Sequence, residues 1–267
     1  YTKKNMNIIT KGLNHSYDEN LVFLVGFPRS GTTLLDTILR THSRVNVLEE
    51  KPYILELRHN FFKNKNNDLS SLLNIKQSEK DKIRNDYFKK ITDDNNDLKK
   101  VIIDKFPLSI IELGFIKCIF PNSKIILSIR HPYDVLISCF FSSFKINDAM
   151  INFLNWNNTI KFYDRVFDLF EFYESELDLK YLSVKYEEVV GNFKSEIKLL
   201  INFLGLQYED KLENFYNTAK KRSKIFTPSY SQVVNPLYTT SIGRWNNYAK
   251  FINTHKKLDK WIEKFNY

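Results

Sequence analysis

Cysteine is nearly absent from this sequence, and its scarcity excludes sites built from clustered thiols. Cys118 lies in "FIKCIF" and Cys139 in "LISCFF", both in apolar surroundings. Neither has a partner at the spacing of a metal site, and no cluster of His, Cys and carboxylates suggests one. The pattern favours two buried free thiols over a disulfide or a reactive thiol, and it predicts no metal.

Long apolar runs are missing as well. No run approaches the length of a membrane span, and no secretory signal is present. We therefore expect a cytoplasmic protein without a membrane partner. The sequence begins with Tyr1 rather than Met, and the polar residues 1–19 are expected to form an N-terminal segment, the end of an upstream domain being one reading.

Acidic residues are fewer than basic ones, but the excess is not concentrated. The 40 Lys and Arg against 31 Asp and Glu give a net charge of +9, which favours an anionic ligand or partner. The basic residues are spread along the chain and lack the clustered basic and aromatic elements of a nucleic-acid-binding motif. We predict no nucleic-acid partner and interpret most of the excess as solvated surface.

Short apolar runs and helical patterns alternate along the chain. Its 267 residues, 43% of them hydrophobic, allow one large domain with a substantial core. Strands are predicted at 21–26, 45–48, 100–105, 123–129 and 180–186. Helices are predicted from Thr32 and from Pro132, and at 79–91, 108–118, 148–173, 193–204, 208–220 and 255–265. The alternation predicts an α/β fold with a central parallel sheet flanked by helices.

The domain is expected to cover residues 20–267. Residues 53–98 are charged and rich in Asn, and they are interpreted as a helical insertion between core strands. Residues 221–248 form a predicted loop of a length that is usually functional or disordered in a compact domain.

The first strand ends in a loop that nearly has P-loop spacing. In "LVFLVGFPRSGTT" the apolar run ends at Gly26 and the helix begins at Thr32, where a P-loop has its lysine. A strand, a glycine-bounded loop and a helix N-terminus together favour an anion site. Arg29 adds the permanent positive charge of its guanidinium group. An ordinary turn whose Gly and Ser/Thr serve as caps is the competing interpretation.

A second strand-to-helix turn, "SIRHPYDVLISCF", repeats this logic. Arg130 follows a strand, where ligands of open α/β sheets bind, and Ser138 lies about two helical turns further on. An arginine and a hydroxyl in this relation suit a further phosphate group. In the competing interpretation, Arg130 pairs with Asp134 and the side chain of Ser138 points into its own helix.

Together the two turns resemble the paired signature of sulfotransferases that use 3′-phosphoadenosine 5′-phosphosulfate (PAPS). The resemblance covers about residues 20–250 and is closest to bacterial tetratricopeptide-linked and protein-tyrosine sulfotransferases. It implies a P-loop-like sulfotransferase fold and a donor with one phosphate joined to a sulfuryl group, which needs no P-loop lysine. The product would be adenosine 3′,5′-bisphosphate (PAP). The 5′-phosphosulfate would bind Pro28, Arg29, Ser30, Gly31, Thr32 and Thr33, and the 3′-phosphate would bind Arg130 and Ser138.

The same resemblance implies the catalytic residues. Glu50, the second residue of "EE", matches the catalytic base, with Glu49 as the alternative. Lys105, at the end of a predicted strand, matches a lysine that stabilises the leaving phosphate, and Asp104 would orient it or only pair with it. Arg29 is assigned to catalysis as well as to binding.

The tail and one aromatic residue complete the implied donor site. Tyr186 matches a tyrosine packed beside the nucleotide, although a core aromatic would look the same. In "SIGRWNNY" the family serine aligns with Gly243, so either Ser241 replaces it or the contact is lost. Arg244 is expected at the 3′-phosphate.

The acceptor is left open as a hydroxyl of a protein tyrosine, a carbohydrate or a small molecule. Protein-tyrosine enzymes place arginines where this chain has Pro52 and Glu56, which disfavours an acidic peptide, although Lys51 and Arg58 could partly compensate. The oligomeric state is also open, a homodimer included. Two other functions compete: a P-loop nucleotide kinase of related fold and a non-enzymatic nucleic-acid-binding protein. The missing lysine disfavours the first, and the dispersed charge disfavours the second.

Overall fold

The computed structural model describes residues 20–94, 96–222, 233–252 and 256–267. The strands are β1 (Leu21–Gly26), β2 (Val45–Glu49), β3 (Val101–Lys105), β4 (Lys124–Ile129) and β5 (Tyr181–Lys185). The first helices are α1 (Thr32–Arg40), α2 (Tyr53–Lys63), α3 (Gln77–Asp93), α4 (Leu113–Ile119) and α5 (Pro132–Phe140). They are followed by α6 (Trp156–Glu176), α7 (Tyr186–Gly191), α8 (Phe193–Phe203), α9 (Phe215–Lys221) and α10 (Lys256–Lys264). Single 3₁₀ turns occur at Leu69–Asn74, Pro107–Glu112, Met150–Leu154, Asp210–Asn214 and Arg244–Tyr248.

The strands form one parallel sheet in the order β2-β3-β1-β4-β5, which confirms the predicted α/β fold class. In the register of the sheet, Leu24 of β1 lies opposite Lys105 of β3, and Glu49 of β2 lies opposite the same lysine. Every residue of β1 and β3 is buried, as expected for the inner strands of a parallel sheet, whereas β2 and β5 are partly exposed. Parallel strands end at one edge of a sheet, so the polar residues that follow them gather there.

The predicted elements are present, with differences at their ends. The helix predicted at 148–173 begins at Trp156, because the side chain of Asn155 accepts a hydrogen bond from the Asn158 N–H at 3.1 Å, which marks a helix start. Strand β5 ends at Lys185, and Tyr186 opens a short helix that the apolar pattern did not predict. Two acidic residues in its first turn suit a helix N-terminus.

The chain divides into two compact units, whose boundaries fall within β1, β4, α6 and β5 and between α1 and β2. The first unit comprises the described residues of 20–25, 44–126 and 170–181. Its core includes Phe23, whose ring centroid lies 6.0 Å from that of Phe120 and 6.5 Å from that of Tyr87. The buried Tyr87 hydroxyl donates a hydrogen bond to Asp104 Oδ2 at 2.7 Å, which attaches α3 to β3.

The second unit comprises the described residues of 26–43, 127–169 and 182–267. Its core includes Phe27, whose ring lies 4.9 Å from that of Tyr163 on α6. The C-terminal helix α10 packs here through Trp261, which is fully buried and donates its indole N–H to Asp164 Oδ1 at 3.1 Å. Lys257 donates to the other oxygen of the same carboxylate at 2.8 Å.

Part of what the sequence predicted lies outside the described residues. This holds for the N-terminal segment 1–19, for residues 223–232 of the predicted long loop, and for residue 255, where the last helix was expected to begin. The part of the long loop that is described contains the 3₁₀ turn Arg244–Tyr248. Among the described helices, none combines the length and apolar character needed to cross a bilayer.

Candidate active site

The loop between β1 and α1 requires glycine at both of its ends. A Cβ on Gly26 would lie 2.5 Å from the carbonyl oxygen of Ser128 and 2.8 Å from Ser30 Oγ. Gly31 has φ +106°, and a Cβ there would lie 3.0 Å from the ring of Tyr186. The backbone therefore approaches its neighbours more closely than a side chain would allow.

Side chains of β4 and α5 hold this loop in place. Ser128 Oγ donates to the carbonyl of Ser30 at 2.9 Å, and the buried thiol of Cys139 donates to the carbonyl of Pro28 at 3.2 Å. Burial raises the pKa of the Cys139 thiol, so the thiol stays protonated as a donor. Cys139 and Cys118 are both free and buried, as predicted.

Arg29 has a strained backbone and an anchored side chain. Its φ of 72° lies in the left-handed region, which costs a non-glycine residue about 1–2 kcal/mol. Its Nε donates a hydrogen bond to Ser138 Oγ at 2.9 Å, so Ser138 contacts the loop rather than its own helix. Strain of this kind concentrates at functional sites.

Arg130 meets the same loop from the end of β4. Its Nη1 lies 3.5 Å from the carbonyl of Arg29, its Nη2 donates to the carbonyl of Ser241, and its guanidinium lies 4.9 Å from the centre of the Tyr186 ring. The alternative pairing with Asp134 is present only at 3.8 Å. Arg29 and Arg130 thus face one region of the second unit.

Two adjoining cavities in the second unit collect most of the residues predicted to bind the donor, whereas Pro28 and Ser30 are not among their lining residues. The first offers about 560 Å³ of space, its open mouth included. It is lined by Arg29, Gly31, Thr32, Thr33, Leu34, Arg130, Tyr186, Val233, Leu237, Tyr238 and Ser241. The second is lined by Arg29, Arg130, Asp134, Ile137, Ser138, Phe141, Ser142, Ser241 and Arg244. Arg29, Arg130 and Ser241 belong to both, so the cavities can bind the two ends of one ligand.

The electrostatics of the cavities suit an anion. Burial, together with the charges of Arg130 and Arg244, lowers the pKa of Arg29 from its ordinary value, and a bound anion would relieve that cost. Within the described structure, Ser30 Oγ and Arg130 Nε are buried atoms without a hydrogen-bond partner. Buried polar atoms normally have partners, so these two fit a ligand that supplies acceptors. The N-terminus of α1 adds its own positive potential.

Glu50 and Lys105 meet in the first unit. Lys105 Nζ, which has no exposed surface, donates to Glu50 Oε1 at 2.8 Å and lies 3.9 Å from Glu49 Oε1. Glu50 also donates its backbone N–H to the carbonyl of Lys105 at 2.8 Å, and its φ is +49°. The side chain of Glu50 is 36% exposed and that of Glu49 8%, so Glu50 is the more accessible carboxylate.

Asp104 accepts a hydrogen bond from the hydroxyl of Tyr87. Burial raises the pKa of Asp104 to about 7, while the Tyr87 hydrogen bond and the charge of Lys105 oppose the rise. Asp104 therefore anchors the insertion helix, and its effect on Lys105 is through charge.

Two cations expected near the acceptor are engaged with carboxylates. Lys51 Nζ lies 2.7 Å from Asp94, and Arg58 Nε lies 3.0 Å from Glu112. Glu56 itself pairs with Lys90 at 2.8 Å.

The tail brings Ser241 and Arg244 to the cavities and explains the glycine between them. Gly243 has φ +66° and donates its N–H to Asp134 Oδ2 at 2.8 Å, so a left-handed residue suits this position better than a serine. The sequence pattern indicated Asp134 only as a partner of Arg130. It missed Leu237 and Tyr238, since isolated apolar residues in a loop give no signal of a cavity wall.

Comparison with known proteins identifies the family. A model described as "Sulfotransferase family" matches residues 21–210. The chain belongs to the sulfotransferase family. This sulfotransferase is 26% identical over 279 residues to an uncharacterized protein of Aquifex aeolicus, covering 96% of the chain and 35% of that protein. It is 28% identical over 151 residues to a Caenorhabditis briggsae protein named "Putative protein-tyrosine sulfotransferase", covering 54% of the chain and 52% of that protein. The chain thus spans about a third and about half of the lengths of these two relatives.

Solved structures share the fold of this sulfotransferase. The sulfotransferase domain of the Synechococcus PCC 7002 olefin synthase matches with a TM-score of 0.63 and 18% identity, covering 92% of this chain and 94% of that one. The sulfotransferase domain of the curacin biosynthetic pathway matches with a TM-score of 0.59 and 16% identity, covering 92% and 97%. The family match supports a sulfotransferase.

Proposed function

We propose that this sulfotransferase takes its sulfuryl group from PAPS and transfers it to a hydroxyl acceptor. The observation that carries the proposal is the convergence of Arg29 and Arg130 on adjoining cavities of the second unit. An adenosine derivative with an anionic group at each end would match this arrangement, because each arginine can bind one anionic group and Tyr186 provides an aromatic wall between them.

The binding residues have separate roles in this proposal. The loop Pro28–Thr33 and the N-terminus of α1 bind the 5′-phosphosulfate, with Ser30 Oγ as an available donor. Arg130, Ser138, Ser241 and Arg244 surround the 3′-phosphate, and Tyr186 packs beside the nucleotide.

The catalytic residues remove the proton of the acceptor hydroxyl and stabilise the negative charge of the leaving phosphate. PAPS, when bound, supplies an activated sulfuryl group. Glu50 takes the proton of the acceptor hydroxyl while the acceptor oxygen forms its bond to sulfur. The bond between sulfur and the bridging oxygen breaks, and Lys105 and Arg29 stabilise the negative charge that remains on the phosphate. No metal takes part in this scheme.

The acceptor is a hydroxyl compound, and the pairing of Lys51 and Arg58 with carboxylates favours a sugar or a small molecule over an acidic peptide. The cytoplasmic location and the possible homodimer stay predictions from the sequence.

Calorimetric titration with PAP tests the donor assignment. Arg29→Ala and Arg130→Ala should each weaken binding by about 1.5–3 kcal/mol, because each removes a charge-assisted contact. Arg165→Ala is the matched control, since Arg165 is an exposed arginine of the same unit on α6 and should leave the affinity unchanged. Wild-type affinity in both cavity variants would reject the donor site.

Transfer of radiolabelled sulfate from PAPS to lysate fractions tests the base. Glu50→Gln should lower the transfer rate by about 10²-fold or more while PAP binding is preserved, because the amide cannot accept the proton. Glu49→Gln, which changes the neighbouring carboxylate, should keep most of the rate. Equal labelling by the native enzyme and by Glu50→Gln would remove Glu50 from the mechanism.

A further inference from the structure

Asp134 connects the two chain segments that supply the second cavity. It lies on α5, one helical turn after Arg130 and one turn before Ser138, and it is 2% exposed. Its Oδ2 accepts the N–H of Gly243 at 2.8 Å, and its Oδ1 accepts the N–H of Trp245 at 2.9 Å. Both oxygens of one buried carboxylate therefore bind backbone more than 100 residues away in the chain.

The residues 241–245, called the tail turn below, have further contacts with the start of α5. The ring of Trp245 stacks on His131 at 5.3 Å with an interplanar angle of 6°, and on Tyr133 at 5.1 Å with 30°. The carbonyl of Ser241 accepts a hydrogen bond from Arg130. The tail turn is thus fixed to α5 by charge-assisted hydrogen bonds and by stacking.

The tail turn carries two of the groups that line the second cavity, Ser241 and Arg244. The carboxylate of Asp134 lies 3.8 Å from Arg130 Nη2, and both of its oxygens accept hydrogen bonds from backbone N–H groups. Asp134 also lines the second cavity, but both of its oxygens are occupied by backbone N–H groups, and a carboxylate would repel a bound anion, so its role there is to hold the binding groups. Its effect on a ligand passes through Ser241, Arg244 and Arg130.

We propose that Asp134 is a positioning residue for recognition of the donor's 3′-phosphate, because it fixes the tail turn so that Ser241 and Arg244 complete the group formed by Arg130 and Ser138. This inference rests on the proposed use of PAPS. It separates two parts of donor binding: the loop Pro28–Thr33 is held by Ser128, Ser138 and Cys139, whereas the tail turn is held by Asp134 and by stacking of Trp245, and Arg130 contacts both. Loss of the tail-turn anchor should therefore weaken binding of the 3′-phosphate and spare the 5′-phosphate.

Titration with PAP and with adenosine 5′-monophosphate, which lacks the 3′-phosphate, tests this. Wild-type protein should bind PAP more tightly. Asp134→Asn keeps the size of the side chain but replaces one acceptor oxygen by a donor, so one backbone N–H loses its partner. We expect the affinity for PAP to fall about tenfold and that for the monophosphate to change less than about twofold, so that the preference for PAP shrinks by about tenfold.

Asp164→Asn is the matched control. Asp164 is also a buried aspartate of the second unit that anchors a C-terminal segment, through Lys257 and Trp261 of α10, but it lines neither cavity. Its replacement should destabilise the protein to a similar degree and leave the preference for PAP unchanged. A purely structural role of Asp134 predicts the same behaviour for both variants, which would overturn the proposal.

Gly243→Ala tests the anchor from the other side, on a surface turn whose change leaves the core intact. Its φ of +66° is unfavourable for alanine, and the new Cβ would lie 3.2 Å from the side chain of Asn246. The preference for PAP should fall several-fold here too, and this variant decides alone when Asp134→Asn does not fold. A full preference in the folded variants would overturn the inference. A wild-type protein that binds both nucleotides equally would instead reject the proposed donor.

Discussion

At the scale of single residues, each charged group of the two cavities is oriented by a neighbour: Ser138 accepts a hydrogen bond from Arg29, and Asp134 holds the turn that carries Arg244. Arg29, Arg130 and Ser138 were predicted as site residues because they lie in two short turns with recognisable spacing. The anchoring role of Asp134 was not, because its partners are the backbone N–H groups of residues 243 and 245, which no side-chain pattern reveals. The bond between Arg29 and Ser138 joins the two turns in a way that neither turn predicts alone.

A buried acid gives a residue-scale prediction about pH. The pKa of Asp104 is raised in the folded protein to about 7, above its unfolded value near 4, so the folded state holds the proton at pH values where the unfolded chain has lost it. The contribution of this group is complete below about pH 4 and is lost as pH rises through about 7. Asp104→Asn should therefore stabilise the protein relative to the wild type more at pH 8 than at pH 4. The difference between the two pH values should be a few kcal/mol at most in the free energy of unfolding.

Urea denaturation of the wild type and the variant between pH 4 and pH 8 measures this difference. The amide retains an oxygen for the hydroxyl of Tyr87. Asp178→Asn, which replaces an exposed aspartate of the same unit, is the control and should keep the pH profile of the wild type. Parallel pH profiles for wild type and Asp104→Asn would contradict the prediction.

At the scale of elements, strands were easier to predict than helix ends. The inner strands β1 and β3 are buried on both faces, so they are visible in the sequence as apolar runs, LVFLV in β1 and VII before Asp104 and Lys105 in β3. Helix α7 was missed because Tyr186 continues the apolar pattern of β5, and only the packing of its ring against Gly31 shows where the strand has ended. Such contacts between distant turns are tertiary and leave no local periodicity.

The turn from β1 to α1 gives an element-scale prediction. Gly26→Ala should lower the free energy of unfolding by roughly 2 kcal/mol or more, because the added Cβ meets the carbonyl oxygen of Ser128 at 2.5 Å. Gly191→Ala is its control, since a Cβ there has no heavy atom within 4 Å among the described residues. Chemical denaturation should give a change within about 0.5 kcal/mol for Gly191→Ala. Equal effects of the two variants would exclude crowding at Gly26.

At the scale of the whole molecule, the cavities and the proposed catalytic pair belong to different units. All residues that line the two cavities lie in the second unit, whereas Glu50 and Lys105 lie in the first. The α/β class followed from the order of elements along the sequence. The division into units did not, because each unit is assembled from three separate stretches of chain.

Hydrogen–deuterium exchange with PAP tests this division. Ligand that binds only the folded state slows exchange through opening of the binding region, by about 100-fold at 100 times the dissociation constant. We expect the strongest protection at residues 26–33, 128–138 and 241–245, and weaker protection in α2 and α3. Arg130→Ala at the same PAP concentration should remove most of it. Uniform protection of both units would show that PAP acts on a single cooperative structure.

The buried thiols of Cys139 and Cys118 can report opening of the two units separately. An alkylating reagent in water cannot reach either sulfur while the fold is closed, since both thiols are buried. Modification of Cys139 must wait for the turn above it to lift away from α5, whereas Cys118 waits for a different opening in the first unit. Mass spectrometry of the two labelled peptides over time would therefore measure two opening rates, one for each unit.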